Sequence, residues 1–260
     1  MSNLNTLFRQ RIGFAENEVI TFENLSQILE KTATAIPFEN LCIITNNRKD
    51  ITLENLVSKI LLKNEGGLCY ELNTILYYFL IENGFNATLA KATVFDNASQ
   101  DYVAIGRTHV IILVTHNEQL YVVDTGFGGN LPLKPVPLTG ELVTSFNGDF
   151  RIKKADSEQG DHILEMKLKH KDADWRIGYA FHSHQPVKDV TEMNEVQKTI
   201  IESPLSSFNK NPLITRLTTS GSLTLTDTSF TKWHDGKVMK EEIEEKQFRE
   251  LAKEYFEMDV

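Results

Sequence analysis

The sequence of 260 residues is poor in cysteine, with only Cys42 and Cys69. Two cysteines do not form a disulfide framework in a chain of this length. The fold must therefore depend on a hydrophobic core, and apolar residues make up 41% of the chain, enough to form one. No internal repeat or low-complexity tract is visible.

Long apolar runs and a leader segment are also missing. No run approaches the roughly 18 apolar residues of a membrane span. Residues 1–5, Met-Ser-Asn-Leu-Asn, do not form a basic segment followed by an apolar one. We therefore expect no membrane partner and a cytoplasmic protein, whose thiols stay reduced.

Positive charge is in deficit, with 27 lysines and arginines against 36 aspartates and glutamates, for a net charge of −9. This balance argues against nucleic acid as the main partner, although a local basic patch for a phosphate-bearing ligand stays open. No metal site is expected, because five histidines lack the spacing to cysteine or acidic residues that zinc requires: His162, His170, His182, His184 and His234.

The most informative stretch is residues 65–73, Glu-Gly-Gly-Leu-Cys-Tyr-Glu-Leu-Asn. Apolar residues over 68–85 recur at spacings of three and four, which predicts a helix that stops at Asn83 and Gly84. Cys69 then lies in the first turn, where free backbone N–H groups and the helix dipole stabilise a thiolate. The paired glycines leave room for a substrate near the sulfur.

Cys69 is accordingly a candidate nucleophile. The competing interpretation is an inert buried cysteine, since free cysteine is among the most buried residue types. A base and an orienting acid elsewhere in the chain would favour the catalytic interpretation.

The hydrophobic period changes along the chain. Residues 1–86 show helical spacing, whereas short β-branched runs over 87–153 and 161–181 predict an antiparallel sheet or barrel. Residues 189–206 are predicted to be a connecting helix. Residues 214–226 are predicted to form a hairpin, and residues 241–256 are predicted to form a charged amphipathic helix.

Two of the predicted strands form a hairpin whose turn includes His116 and Asn117. If the turn has an even number of residues centred between these two, the opposed pairs can be written out. They are Val114–Gln119, Leu113–Leu120, Ile111–Val122 and His109–Asp124. Directly opposed residues have Cβ atoms about 4.5–5.5 Å apart, and a slip by one residue would place the partners on opposite faces.

This pairing would bring an imidazole and a carboxylate together. Asp124 would fix the tautomer and orientation of His109, and His109 would deprotonate Cys69. Taken singly, His109 could be a core or surface histidine and Asp124 a turn residue. The combination of all three in this order favours a catalytic triad.

Five motifs follow one another along nearly the whole chain. They are Arg11-Ile12-Gly13, Pro37-Phe38-Glu39-Asn40-Leu41, Gly66-Gly67-Leu68-Cys69-Tyr70-Glu71-Leu72-Asn73, Thr108-His109-Val110 and Val123-Asp124-Thr125-Gly126-Phe127-Gly128-Gly129. Each motif alone is only moderately specific, but their order and spacing resemble those of the arylamine N-acetyltransferase family.

The resemblance implies an α+β fold with a cysteine-protease-like core. Its parts would be an N-terminal helical bundle over 1–86, a central antiparallel β-barrel over 87–188, a linker helix over 189–206 and a C-terminal α/β lid over 207–260. The bundle would carry the cysteine, and the barrel the histidine and the aspartate.

The resemblance also implies a ping-pong reaction of a Cys69–His109–Asp124 triad. The thiolate would take an acetyl group from acetyl-CoA, a co-substrate rather than a tightly bound cofactor. It would pass the acetyl group to an arylamine, arylhydrazine or arylhydroxylamine. The protein could be a monomer or a homo-oligomer.

The residues expected beside the ligands also come from the resemblance. Five would lie beside CoA, namely Thr108, Gly126, Phe127, Gly128 and Gly129. Phe38 and Phe127 would form apolar walls for the acceptor ring, although both could equally belong to the core.

One position departs from the family pattern. The family usually has arginine directly before the paired glycines, where this chain has Glu65. Glu65 could then face Glu39, and two facing carboxylates would raise a pKa or separate their segments unless Lys63 or another cation compensates.

Two other functions stay open at this point. One is a hydrolase that uses the same Cys-His-Asp logic. The other is a catalytically weak paralogue that only binds CoA or an aromatic ligand, which the departure at Glu65 motivates.

Overall fold

The computed structural model describes residues 3–260. Seven α-helices lie in this range: α1 (Asn3–Ile12), α2 (Leu25–Ala35), α3 (Leu41–Ile44), α4 (Leu53–Leu56), α5 (Cys69–Glu82), α6 (Glu192–Glu202) and α7 (Glu245–Phe256). A π-helical segment, Val57–Leu62, continues α4 directly. No helix in the described range has the length and apolar character of a membrane span.

Fourteen strands are described: β1 (Phe38–Glu39), β2 (Asn86–Asp96), β3 (Asp101–Tyr102), β4 (His109–His116), β5 (Gln119–Val123), β6 (Val136–Pro137), β7 (Val143–Ser145), β8 (Gly148–Ser157), β9 (Gly160–Leu168), β10 (Arg176–Pro186), β11 (Leu213–Thr218), β12 (Gly221–Thr226), β13 (Ser229–His234) and β14 (Lys237–Glu242).

The strands form two antiparallel sheets. The larger sheet has the order β6-β5-β4-β2-β10-β9-β8-β7, with β3 paired to β2, and curves into a nearly closed barrel. The smaller sheet has the order β1-β11-β12-β13-β14. Its edge strand β1 comes from the helical part of the chain, so the N-terminal helices and the C-terminal sheet are joined by backbone hydrogen bonds.

Helix α5 is the central element of the helical core. Its side chains are buried over most of its length, which fits the apolar run in the sequence. The helix ends where predicted, with Asn83 as the C-cap and Gly84 in the left-handed region at φ +83°.

Strand β4 separates two cores. Val110, Ile112 and Val114 pack against the helices, whereas Ile111 and Leu113 face the barrel interior. This alternation places the start of β4 at the junction between helices and barrel. The α+β class, with its helical bundle, barrel and C-terminal sheet plus helix, is confirmed.

The sequence prediction did not single out strands β8, β13 and β14, and it began the last helix too early. Helix α7 begins at Glu245, because Glu241 and Glu242 pair with Phe230 and Ser229 in the hairpin β13–β14. The hairpin turn is Asp235-Gly236, with both residues at positive φ. An Asp-Gly pair is a strong hairpin signal that the charged pattern around it obscured.

Candidate active site

Cys69 is the first residue of α5 and follows an extended N-cap, Leu68. The residue is buried, and its Sγ lies 3.5 Å from the Thr108 carbonyl oxygen just before β4. Gly126 packs against it so closely that a Cβ there would lie 2.5 Å from Cys69 Cα. A side chain at position 126 would therefore displace the helix start.

The paired glycines before Cys69 have a different use from the one predicted. A Cβ on Gly66 would collide with the Pro37 carbonyl oxygen, and one on Gly67 would lie 2.9 Å from a Glu71 carboxylate oxygen. The space beside these glycines is occupied by other parts of the protein and is not left for a substrate. The glycine that touches the cysteine itself is Gly126.

Asp124 forms the centre of a buried hydrogen-bond network. Its Oδ2 lies 2.8 Å from His109 Nε2 and accepts from the Tyr179 hydroxyl at 3.1 Å. Its Oδ1 accepts from Asn73 Nδ2 and from the Gly126 backbone N–H, each at 2.8 Å. Both carboxylate oxygens are thus held by two donors each.

The ionisation of the pair follows from this network. Burial opposes the charge of Asp124, but His109 and the bonds from Asn73 and Gly126 outweigh it and lower the pKa of the aspartate. Burial also opposes the charge of His109, but attraction to Asp124, with hydrogen bonds to Asp124 and Cys69, raises the pKa of the imidazole to about 10. Because Nε2 is bound to Asp124, Nδ1 is the nitrogen left for the hydrogen bond to Cys69.

The hairpin brings His109 and Asp124 together in a register that differs from the predicted one. Leu113 pairs with Val122 rather than with Leu120, so Asp124 is not directly opposite His109. The turn is Asn117-Glu118, and both residues have positive φ, as a two-residue hairpin turn requires. A shift of two residues keeps the same face, and a diagonal neighbour is still within reach.

Two buried residues complete the site and were not predicted. Asn73 follows Cys69 by one helical turn and binds Asp124 and the Val110 carbonyl oxygen with its Nδ2. Its Oδ1 accepts from the backbone and hydroxyl of Thr125. An amide four residues after the cysteine in an apolar helix was a usable signal.

Tyr179 carried no comparable signal. It lies on β10, 55 residues from Asp124, and only the barrel brings its hydroxyl to the carboxylate. Its ring packs against His109 with a centroid distance of 4.8 Å.

The glycine-rich turn after β5 lies beside the triad. The Phe127 ring is 4.9 Å from the His109 ring. Gly128, at φ +59°, faces the Phe38 ring, because a Cβ there would lie 3.7 Å from it. The site of a Cβ on Gly129 has no atom within 4 Å, so the turn is open on that side.

The cation near Glu39 is Lys59, from the π-helical segment. Its Nζ lies 3.0 Å from Glu39 Oε1 and 2.7 Å from Glu71 Oε1. Lys63, by contrast, is exposed, and within residues 3–260 no ion pair to Glu65 is found. A cavity of about 630 Å³ lies beside Lys59 and is lined by Glu39, Cys42, Lys59, Glu65 and Glu71 among others, but by none of the three triad residues.

Comparison with known proteins identifies the family. A family model described as N-acetyltransferase matches residues 21–260. The acetyltransferase YvcN of Bacillus subtilis, described as uncharacterized, is 36% identical over 95% of both chains.

Two solved structures are similar over the whole fold. Arylamine N-acetyltransferase C from Bacillus anthracis is 40% identical, with a TM-score of 0.94 over 99% of both chains. The arylamine N-acetyltransferase NAT3 from Bacillus cereus is 41% identical, with a TM-score of 0.94 over 100% of both chains, and is described as having a unique Cys-His-Glu triad. Here the acid bound to His109 is an aspartate. The chain belongs to the arylamine N-acetyltransferase family and is an acetyltransferase.

Proposed function

We propose that this protein transfers the acetyl group of acetyl-CoA to an arylamine or arylhydrazine through an acetyl-Cys69 intermediate. The observation that carries the proposal is the unbroken series of contacts from Cys69 to His109 to Asp124. A thiolate is a good nucleophile for a thioester and a good leaving group from an acetyl-enzyme.

Before the first half-reaction, the proton of the Cys69 thiol has passed to Nδ1 of His109, because the raised pKa of the imidazole favours its charged form. The sulfur attacks the thioester carbonyl, and the tetrahedral intermediate expels CoA, whose sulfur takes the proton back from His109. The backbone N–H of Cys69 stands at the first helical position, where it has no partner inside the helix, and can donate to the oxyanion.

In the second half-reaction, the acceptor nitrogen attacks the acetyl carbonyl on Cys69. His109 takes the proton that the nitrogen loses, and the Cys69 thiolate leaves. Asp124 stays ionised throughout, because its lowered pKa and its four donors favour the carboxylate.

The ligands would lie where three parts of the chain meet. Residues 1–86 would supply Cys69 and Phe38, and residues 87–188 would supply His109 and Asp124. The linker helix over 189–206 leads to residues 207–260, which would close the site from the side of β11. Thr108, Gly126, Gly128 and Gly129 would border CoA, because the open side of the turn leaves space there. Phe38 and Phe127 would form the walls around the acceptor ring.

We place the reaction in the cytoplasm.

Mass spectrometry of the intact protein mixed with acetyl-CoA alone tests the proposal. We expect one added acetyl group on the native chain and on Cys42→Ser, which removes the other thiol. Cys69→Ser should remain folded and lose turnover. An unmodified native protein, or equal modification at Cys42, would contradict the mechanism.

The same mixture separates transfer from the alternatives. Release of free CoA that depends on an aromatic amine or hydrazine supports transfer. Cleavage of an amide or peptide without CoA release would indicate a hydrolase. Thermal stabilisation by CoA without an acetyl adduct would indicate a binding paralogue.

A further inference from the structure

Lys59 is a partly buried cation, with 15% of its side chain exposed, beside the helix that begins at Cys69, and the reaction described above does not use it. Its Nζ contacts carboxylate oxygens of Glu71 and Glu39 and lies 3.5 Å from the Cys42 sulfur. Burial opposes its charge, but Glu39 and Glu71 outweigh burial and raise the pKa of Lys59 well above its usual value. Two carboxylates therefore share one ammonium.

The backbone that carries Lys59 is unusual. Residues 57–62 form a π-helical segment, in which the Lys63 N–H donates to the Ser58 carbonyl oxygen five residues earlier. Such segments are rare in proteins, and those that occur often lie at functional sites. The Lys59 carbonyl oxygen also accepts from the Glu65 N–H, which joins this segment to the approach to Cys69.

Each residue whose carboxylate binds Lys59 also contacts backbone near the cysteine, Glu71 through its side chain and Glu39 through its own backbone. Glu71 Oε2 accepts from the N–H of Leu68, the residue before Cys69, at 3.0 Å. The N–H of Glu39 donates to the Gly67 carbonyl oxygen at 3.0 Å. Lys59 thus connects the two groups that fix the chain on the N-terminal side of Cys69.

We propose that Lys59 is a positioning residue for acetyl transfer, because its ammonium holds Glu39 and Glu71 where they fix the first turn of the helix that presents Cys69. The role presupposes the transfer reaction proposed above. Lys59 does not touch the sulfur and acts through Glu71 and the backbone of residues 67 and 68. We call the set of Glu39, Lys59 and Glu71 the lysine clamp.

The need for the cation follows from burial. Glu39 is 1% exposed and Glu71 is 3% exposed, so water screens either carboxylate poorly. Without Lys59, one of them must take up a proton or the two must move apart. Because Glu71 Oε2 accepts from the Leu68 N–H, a shift of the Glu71 side chain releases the backbone that leads into Cys69.

Lys59→Met tests the proposal, with Lys63→Met, directly after the same π-helical segment, as the matched control. The readout is the rate of acetyl-Cys69 formation as acetyl-CoA is varied. A displacement of about 1 Å in a reacting group costs about 100-fold, so we expect the saturating rate to fall between about ten- and 100-fold. The half-saturating concentration should change less than about threefold, because the cation does not bind the donor.

Lys59→Arg should restore most of the rate, because it keeps the charge between the carboxylates. Should Lys59→Met fail to fold, the double variant Lys59→Met/Glu39→Gln removes one of the two uncompensated carboxylates and carries the test, again with a slow saturating rate. A rate equal to that of the native protein in either folded variant would overturn the proposal.

A loss shared by Lys63→Met would overturn it as well. Native protein that forms no acetyl-Cys69 would instead refute the proposed transfer reaction, so the two failures are distinguishable.

Discussion

Two buried charge networks meet at the start of α5, and they are built differently. In the triad, one carboxylate, Asp124, is held by four donors, of which only His109 can carry charge. In the lysine clamp, two carboxylates share a single ammonium. Removal of one neutral donor leaves the triad acid well solvated by the protein, whereas removal of the one cation leaves the clamp with no counter-charge.

The two networks also differ in what surrounds them. The triad joins the helix to the barrel and is packed between aromatic rings. The clamp lies within the helical part and borders the 630 Å³ cavity. We therefore expect changes in the triad to act mainly on chemistry, and changes in the clamp to act on the position of the sulfur.

The largest expected effect separates the triad from an ordinary buried pair. Asp124→Asn removes the charge that orients His109, and we expect a loss of about 10³- to 10⁴-fold in acetyl transfer. Asp161, which lies 2.8 Å from His162 elsewhere on the barrel, provides the matched control. Asp161→Asn should retain activity, and comparable losses in steady-state rates for both variants would contradict a special role for Asp124.

The two thiols provide the next comparison, since Cys69 belongs to the triad and Cys42 lies beside the clamp. Burial, followed by the charge of Glu71, raises the pKa of the Cys42 thiol to about 12. Since the thiolate is the reactive form, iodoacetamide at pH 7 should label Cys69 at least about 100-fold faster. Peptide mapping over time measures both rates, and equal labelling would count against an activated Cys69.

Stability should depend on pH through the triad. The pKa of His109 is raised to about 10 in the folded protein, from about 6.5 when unfolded. Its contribution is therefore complete below pH ~6.5 and is lost as the pH rises towards 10. The lowered pKa of Asp124 adds stability above pH ~4 that is lost as the pH falls further.

Urea unfolding can test this dependence with His109→Gln as the reference. Between pH 6 and pH 9, the stability advantage of the native protein should shrink by about 3 kcal/mol. An advantage that stays constant over this range would mean that the imidazole is not held in its charged form.

A smaller effect should follow from removal of one neutral donor. Tyr179→Phe deletes only the hydroxyl that donates to Asp124, and the other three donors remain. One neutral hydrogen bond is worth about 1 kcal/mol, so transfer should slow by about fivefold. Steady-state rates with an arylamine measure the change, and a loss as large as that of Asp124→Asn would break the comparison between charged and neutral partners.

The smallest effect is expected at Glu65, which lies near the clamp without an ion pair among the described residues. Because Lys59 already supplies the cation, Glu65→Arg should preserve or raise activity, within about threefold, as a partly exposed charge has little effect. Transfer rates under the same conditions check this, and a large loss would show that Glu65 has a role of its own.

Much of the site was accessible from local patterns. The helix from Cys69, its stop at Asn83 and the triad residues all carry signals within one or two turns or strands. The register of the β4–β5 hairpin was not accessible in the same way, because Asn117 and Glu118 could adopt more than one turn. The observed turn has positive φ at both residues, and the observed strand pairing differs from the predicted pairing by two positions.

The sequence by itself determined which segments become helix α5 and the β4–β5 hairpin, since side chains three or four residues apart, or alternating along a strand, meet within the segment. Only the tertiary structure decided that Tyr179 reaches Asp124 and that Lys59, rather than Lys63, neutralises Glu39. The physical reason is that a charged or polar group removed from water needs a partner inside the protein. The packed chain supplies that partner, which can lie at any distance along the sequence.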